Sequence, residues 1–161
     1  MRLFGTMIVA GCLALGHAAA AQEGLFSPVI TVNDAAVTGY ELDQRQRLLA
    51  AFRTPGDLAE VARTQLVEDR LKQMELARVG ISISDEALRA AMEEFAGRAN
   101  LTLDQFLTVL EQNGVSEETL RDYVSVGIAW RDYIRARYGN RVTITDADID
   151  LAISQMGTSN A

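Results

Sequence analysis

From residue 29 onward the apolar positions recur with two different periods. Val29-Ile30-Thr31-Val32 is a short β-branched run, which favours a strand. Asn33-Asp34 is a turn pair, and Ala35-Ala36-Val37 follows as a second short strand, so the pattern predicts a small hairpin. An isolated hairpin is marginal in water, so this one is expected to lean on the helices C-terminal to it. From Thr38 to about Ser154 the pattern is helical, with clear punctuation. Thr38-Gly39-Tyr40-Glu41 is a capping box that opens a first helix to about Arg53. Thr54 as cap and Pro55 in the first helical position predict the start of a second helix, which runs to about Val79 and stops at Gly80. Val67, Leu71 and Met74 mark its apolar face.

Ser84, followed by Asp85 and Glu86, opens a third helix. Its stripe is Leu88, Met92, Phe95 and Ala99, spaced i, i+4, i+7 and i+11. Thr102-Leu103-Asp104-Gln105 is a second capping box, and Leu103, Phe106, Leu107 and Leu110 form the stripe of a fourth helix that ends at Asn113-Gly114. A fifth, long helix starts at Ser116-Glu117-Glu118 and ends near Tyr138-Gly139. Val142-Thr143-Ile144 reads as extended, and Thr145-Asp146-Ala147-Asp148 starts a last short helix through Ile153. The fold class expected is mainly α: a small N-terminal β-hairpin followed by about five to six helices.

The fifth helix has apolar residues on two sides. At 100° per residue, Leu120, Tyr123, Val124, Gly127 and Ile134 share one stripe. Val126, Trp130 and Tyr133 lie about 100° away, with Arg137 beyond them. Such a helix must bury both faces or expose one. If both pack, it is the central helix of the domain. If the second is exposed, Val126, Trp130, Tyr133 and Arg137 form a candidate peptide-binding face, with rings for apolar side chains and a guanidinium for carbonyls.

The residues before the hairpin carry a different signal. Residues 1–21 have Arg2, an apolar run from Leu3 to Leu15 and small residues at Ala18 to Ala21, the plan of a secretory signal peptide. The run is shorter than the 20 or so apolar residues a membrane span needs, so stable insertion is not expected. Val9-Ala10-Gly11-Cys12 has the form of a lipobox, but a cut there would leave few apolar residues ahead of it. Cleavage is expected after Ala20 or Ala21, leaving a leader at 22–28, a helical domain at 29–154 and a disordered polar tail at 155–161.

Cleavage changes the chemistry available. The chain has one Cys and one His, Cys12 and His17, and both leave with the segment. The remaining 14 basic residues face 22 acidic ones, a net charge of −8. Zinc sites of the His/Cys kind, Cys nucleophiles and Ser-His-Asp triads are excluded by residue type. The acidic balance argues against nucleic acid as a partner. Asp146, Asp148 and Asp150 begin like a calcium loop, but Leu151 stands where its Gly belongs and Gly157 where its Glu belongs. Glu93-Glu94 and Glu117-Glu118 are helix neighbours that point apart, so neither is a catalytic dyad. No phosphate-binding glycine loop occurs. No cofactor, no metal and no catalytic residue are expected.

The order of the motifs is more telling than any one of them. The hairpin Val-Ile-Thr-Val-Asn-Asp-Ala-Ala-Val-Thr leads to Tyr40-Glu41-Leu42. Leu66-Val67-Glu68-Asp69-Arg70-Leu71-Lys72-Gln73-Met74-Glu75 is closed by Ala77-Arg78-Val79-Gly80-Ile81. Ser84-Asp85-Glu86, Leu101-Thr102-Leu103-Asp104-Gln105-Phe106, Asn113-Gly114-Val115-Ser116 and Val142-Thr143-Ile144-Thr145-Asp146-Ala147-Asp148-Ile149 follow. Over about residues 29–154 the chain resembles the SurA-type N-terminal chaperone domains, a group similar to the matching domains of PpiD and trigger factor. The resemblance implies a periplasmic, ATP-independent holdase whose partners are unfolded outer-membrane or exported polypeptides. Members usually continue into parvulin prolyl-isomerase domains of roughly 90–100 residues that supply an active-site His, and into a C-terminal segment that completes the chaperone domain. Neither is expected here, so the chain reads as non-enzymatic. Two alternatives stay open: the N-terminal fragment of a parvulin-type isomerase, and a structural module that forms a homodimer by sharing helices.

Overall fold

The computed structural model describes residues 24–139 and 145–158, with side chains to residue 154. The segment 1–21 and the extended run 142–144 lie outside the described residues. Strand β1 (Pro28–Val32) pairs antiparallel with β2 (Ala35–Thr38), with Ile30 opposite Val37 and Val32 opposite Ala35. Asn33 turns the chain at φ 52°, a conformation asparagine tolerates better than most residues. As expected for so small a sheet, it is held from outside. Arg70 donates from Nε to the Ala36 carbonyl at 3.0 Å and pairs with Glu41, so one guanidinium ties the hairpin to the helices. Val32 and Val37 carry its buried face.

Six helices follow among the described residues: α1 (Gly39–Ala51), α2 (Leu58–Arg78), α3 (Asp85–Gly97), α4 (Leu103–Gln112), α5 (Glu117–Tyr138) and α6 (Asp146–Thr158). Their starts obey capping chemistry. The Thr38 and Thr102 capping boxes both form, reciprocally with Glu41 and Gln105. Ser84 and Ser116 cap α3 and α5. At the end of α2, Gly80 adopts φ +72°, the left-handed turn that Gly enters without strain.

The core lies where α1, α3, α4 and α5 meet. Leu48, Leu88, Met92, Phe106, Leu110 and Leu120 are buried together. Around them Phe52, Phe95, Phe106 and Tyr123 form a ring cluster with centroids 5.5–6.4 Å apart. The stripes of α3 and α4 therefore do meet in one core, as their spacing predicts. α2 lies across α1 and α5, and the hairpin rests on α1 and α2.

Several expectations are corrected. The cap of α2 is Asp57, whose carboxylate accepts from the backbone of Ala59 and Glu60; Thr54 and Pro55 lie in the connecting loop. Thr54 cannot open α2 because Gly56 at φ +98° turns the chain out of the helical path just after it; its own N–H closes the end of α1 on the Leu49 carbonyl. The buried face of α2 is Ala62, Leu66 and Leu76, while Leu71 is 49% exposed and Met74 is exposed too. The reason is that α1 and α5 meet α2 on the side that also carries Asp69, a polar residue that masks the stripe. In α3, Ala96 takes the buried place assigned to Ala99, because the helix ends at Gly97 and Ala99 turns outward. Gly127 is exposed instead of sharing the core with Leu120 and Val124. Finally, α6 runs past Ile153 to Thr158, so residues 155–158 extend a helix.

Candidate functional site

Helix α5 organises the candidate sites because it offers two sides to the rest of the fold. The side read from sequence as a binding face is largely covered. Val126 is 6% exposed and Tyr133 is 8% exposed, both inside the fold. Trp130 is half-buried, with its ring 5.4 Å from that of Tyr133. Arg137 is exposed at the end of the helix, its guanidinium 5.7 Å from the Tyr138 ring. The structure thus brings Trp130 and Tyr133 together, leaves Arg137 in solvent and withdraws Val126 into a cavity beside the hairpin.

Tyr133 is anchored as well as buried. Its hydroxyl donates to Glu75 Oε1 at 2.8 Å, across the α2–α5 seam. Arg78 donates to the same carboxylate from two nitrogens, at 2.7 Å each. These bonds hold the Glu75 carboxyl down to about 2, with Arg78 the larger cause and Tyr133 the next. The same hydrogen bond, to an acceptor that is already charged, raises the Tyr133 phenol.

The other side of α5 opens onto a groove of about 350 Å³ between α2, α3 and α5. Tyr123 and Phe95 form an aromatic wall, and Val124, Gly127 and Ile128 form an apolar floor. Arg45 of α1 lies in the wall, 4% exposed. Its Nη2 donates to Asp69 at 2.7 Å, its Nη1 donates to Gln65 at 3.2 Å, and its carbon head sits 5.1 Å from the Tyr123 ring centre. The rim is charged but paired: Arg98 with Glu94, Lys72 with Glu68, Arg131 with Asp132.

A second, smaller cavity of about 280 Å³ lies between the hairpin, α1, α2 and α5. It is acidic. Partial desolvation at the cavity mouth, together with Glu118 and Glu41, raises the carboxyl of Asp122, whose side chain is still exposed. In Glu41 burial also pushes upward, but the Thr38 N–H and the Arg70 guanidinium outweigh it, and the net shift is downward.

Sequence reasoning missed Arg45, Asp69 and Gln65, because charged and amide residues on a helix default to the solvated face. One signal was available: Arg45 sits at i−3 from Leu48, on the side of α1 that must pack. Among the described residues no helix is long and apolar enough to cross a membrane.

The family model of the SurA N-terminal domain matches residues 29–133, from β1 to Tyr133 of α5. A chaperone SurA of Vibrio vulnificus is 28% identical over 158 residues, covering 93% of this chain and 37% of the relative. One from Alkalilimnicola ehrlichii is 28% identical, covering 98% of this chain and 38% of the relative. One from Nitrosococcus oceani is 33% identical over 130 residues, 76% of this chain. The chain spans little more than a third of the length of the relatives it matches. It belongs to the SurA N-terminal domain family.

Proposed function

We propose that this member of the SurA N-terminal domain family is an ATP-independent periplasmic chaperone that holds unfolded outer-membrane or other exported polypeptides. The observation that carries the reading is the family match, which spans the hairpin and the helical body through Tyr133. Relatives sharing that body bear the name chaperone SurA. The role proposed is binding, without catalysis: a holdase lowers aggregation by mass action, removing unfolded chains from the pool that aggregates. The secretory pattern of residues 1–21 supports the periplasm as the place of action.

On α5 the proposal assigns the client contact to the exposed edge of Trp130 and to Arg137, with Val126 and Tyr133 supporting them from behind. A half-buried indole gives apolar area at little conformational cost, and a guanidinium reaches main-chain carbonyls.

The test is light scattering of an outer-membrane protein diluted from urea, with and without the purified chain. Aggregation should fall as the chain is added at stoichiometric amounts and without ATP. Unchanged scattering at excess chain would refute the reading. Mass spectrometry of periplasmic protein should show a start near Ala21 or Gln22.

A further inference from the structure

Gly127 stands in the middle of α5, where glycine is the least favourable residue after proline. A close approach by a neighbour would explain it, yet a Cβ built there meets no atom within 4 Å. Packing does not require a glycine at this position. What glycine does supply is a backbone that distorts at low cost, and helices bend where it sits.

The two halves of α5 that Gly127 separates are held differently. Before it, Leu120, Val124 and Val126 are buried, and Leu120 and Val124 belong to the main core. From Ile128 to Tyr138 Tyr133 alone is buried, while Ile128 touches the edge of the core. The Tyr133 hydroxyl donates to Glu75 of α2, and Arg78 braces that carboxylate. Arg131 pairs with Asp132 and Arg137 reaches Tyr138, so both of these bonds stay within α5. There is also room beside this half. The groove of about 350 Å³ begins at Gly127. A further groove of about 670 Å³ runs between α3 and α5, lined by Ile83, Ala87, Ala91, Ile128 and Ala129. A close-packed helix leaves no such space on its flanks.

We propose that α5 is a hinged helix, whose half from Ile128 to Tyr138 detaches from α2 about Gly127, with the Tyr133–Glu75 hydrogen bond as its latch. Opening uncovers the Tyr133 ring and the covered side of Trp130, which are packed together when the latch is closed. The hinge follows from the packing; only the use of the uncovered face by a client rests on the chaperone reading. Hinges are commonly a few small residues between bodies of unequal stability, and the segments that open are those with few buried contacts.

The experiment is amide hydrogen exchange of the purified chain in low, sub-denaturing urea. Once detached, so short a helix is marginal in water, so its amides exchange as one group. The expected pattern is a step at Gly127. Residues 128–138 exchange together, faster and with little dependence on urea, while 117–126 exchange slowly and with the urea dependence of global unfolding. Gly127→Ala favours the closed helix and should slow the 128–138 group roughly fivefold. Tyr133→Phe removes the latch bond, keeps the ring and should speed the group several-fold. A single urea dependence along the whole helix would overturn the hinge. So would a gradual rise toward Tyr138, which is end fraying alone, or an unchanged 128–138 group in the Gly127→Ala chain. Light scattering separates the two readings. A chain with the step that fails to suppress aggregation keeps the hinge and loses the chaperone role, and one that suppresses aggregation without the step does the reverse.

Discussion

Gln44, in α1, works across a sequence separation of about seventy residues. Its amide nitrogen donates to the Gly114 carbonyl at 2.9 Å, and its amide oxygen accepts from the Ser116 N–H at 2.8 Å and the Thr119 hydroxyl at 3.1 Å. A single buried side chain thus satisfies the turn between α4 and α5, where backbone groups would otherwise be orphaned. Glu75 does comparable work at the α2–α5 seam, and its lowered pKa makes a pH prediction. In the unfolded chain Glu titrates near 4.5, and in the folded chain Glu75 titrates near 2. The folded state therefore holds fewer protons between these values, and protonation favours unfolding. The stability that Glu75 contributes is fully present above about pH 4.5 and is lost as pH falls toward 2. Glu41 and Glu94 are lowered also and act in the same direction. Urea midpoints measured from pH 6 down to pH 2.5 should fall, and Glu75→Gln should flatten the fall. An unaltered slope in the variant would show that the seam is not pH-coupled.

At the scale of elements, the start of α2 shows how local signals compete. Thr54-Pro55 has the look of a helix start, but the Thr54 N–H closes the end of α1 through Leu49 at 3.0 Å. With Gly56 in a left-handed conformation the helix can begin only after it, and Asp57 takes the cap. Asp57→Ala should cost about 1 kcal/mol, the usual value for a lost N-cap. Thr54→Ala should cost under about 0.5 kcal/mol, as an ordinary loop substitution. Chemical denaturation of the two variants decides between the caps, and a larger loss at Thr54 would reverse the assignment. The same competition governs α5. Its two apolar sides are real, but the Val126 side is buried towards α2 and the cavity beside the hairpin, while Gly127 faces the groove.

For the whole molecule, the ring cluster of Phe52, Phe95, Phe106 and Tyr123 joins α1, α3, α4 and α5 into one body. Phe95 is only half-buried, so Phe95→Ala should cost about 2–3 kcal/mol, below the 3–5 of a fully buried ring. A denaturant melt with a loss under about 1 kcal/mol would show that the cluster does not hold the helices together. The aromatic pair of α5 divides the same way. Tyr133→Phe removes only the hydroxyl to Glu75 and should cost about 1 kcal/mol while leaving client protection intact. Trp130→Ala should reduce protection of an unfolded outer-membrane protein by more than its loss of stability explains. Full protection by a folded Trp130→Ala chain would remove Trp130 from the client surface.

The sequence by itself determined the element types, most of the caps and the family. These rest on local physics: a cap needs a hydroxyl or carboxylate next to a turn, and a 3.6-residue stripe needs a partner. Thr38, Ser84, Thr102 and Ser116 carried that information in a few neighbouring residues. Only the tertiary structure decided which polar residues go inside. Arg45, Gln44 and Asp69 belong by residue type on the surface, because burying them is costly without partners. Their partners are Gln65 and Asp69 on α2 for Arg45, and Gly114 to Thr119 for Gln44. Those partners come within reach only when the helices pack. The groove beside Gly127 is legible only then too, since an open floor is a property of three helices and of no single one.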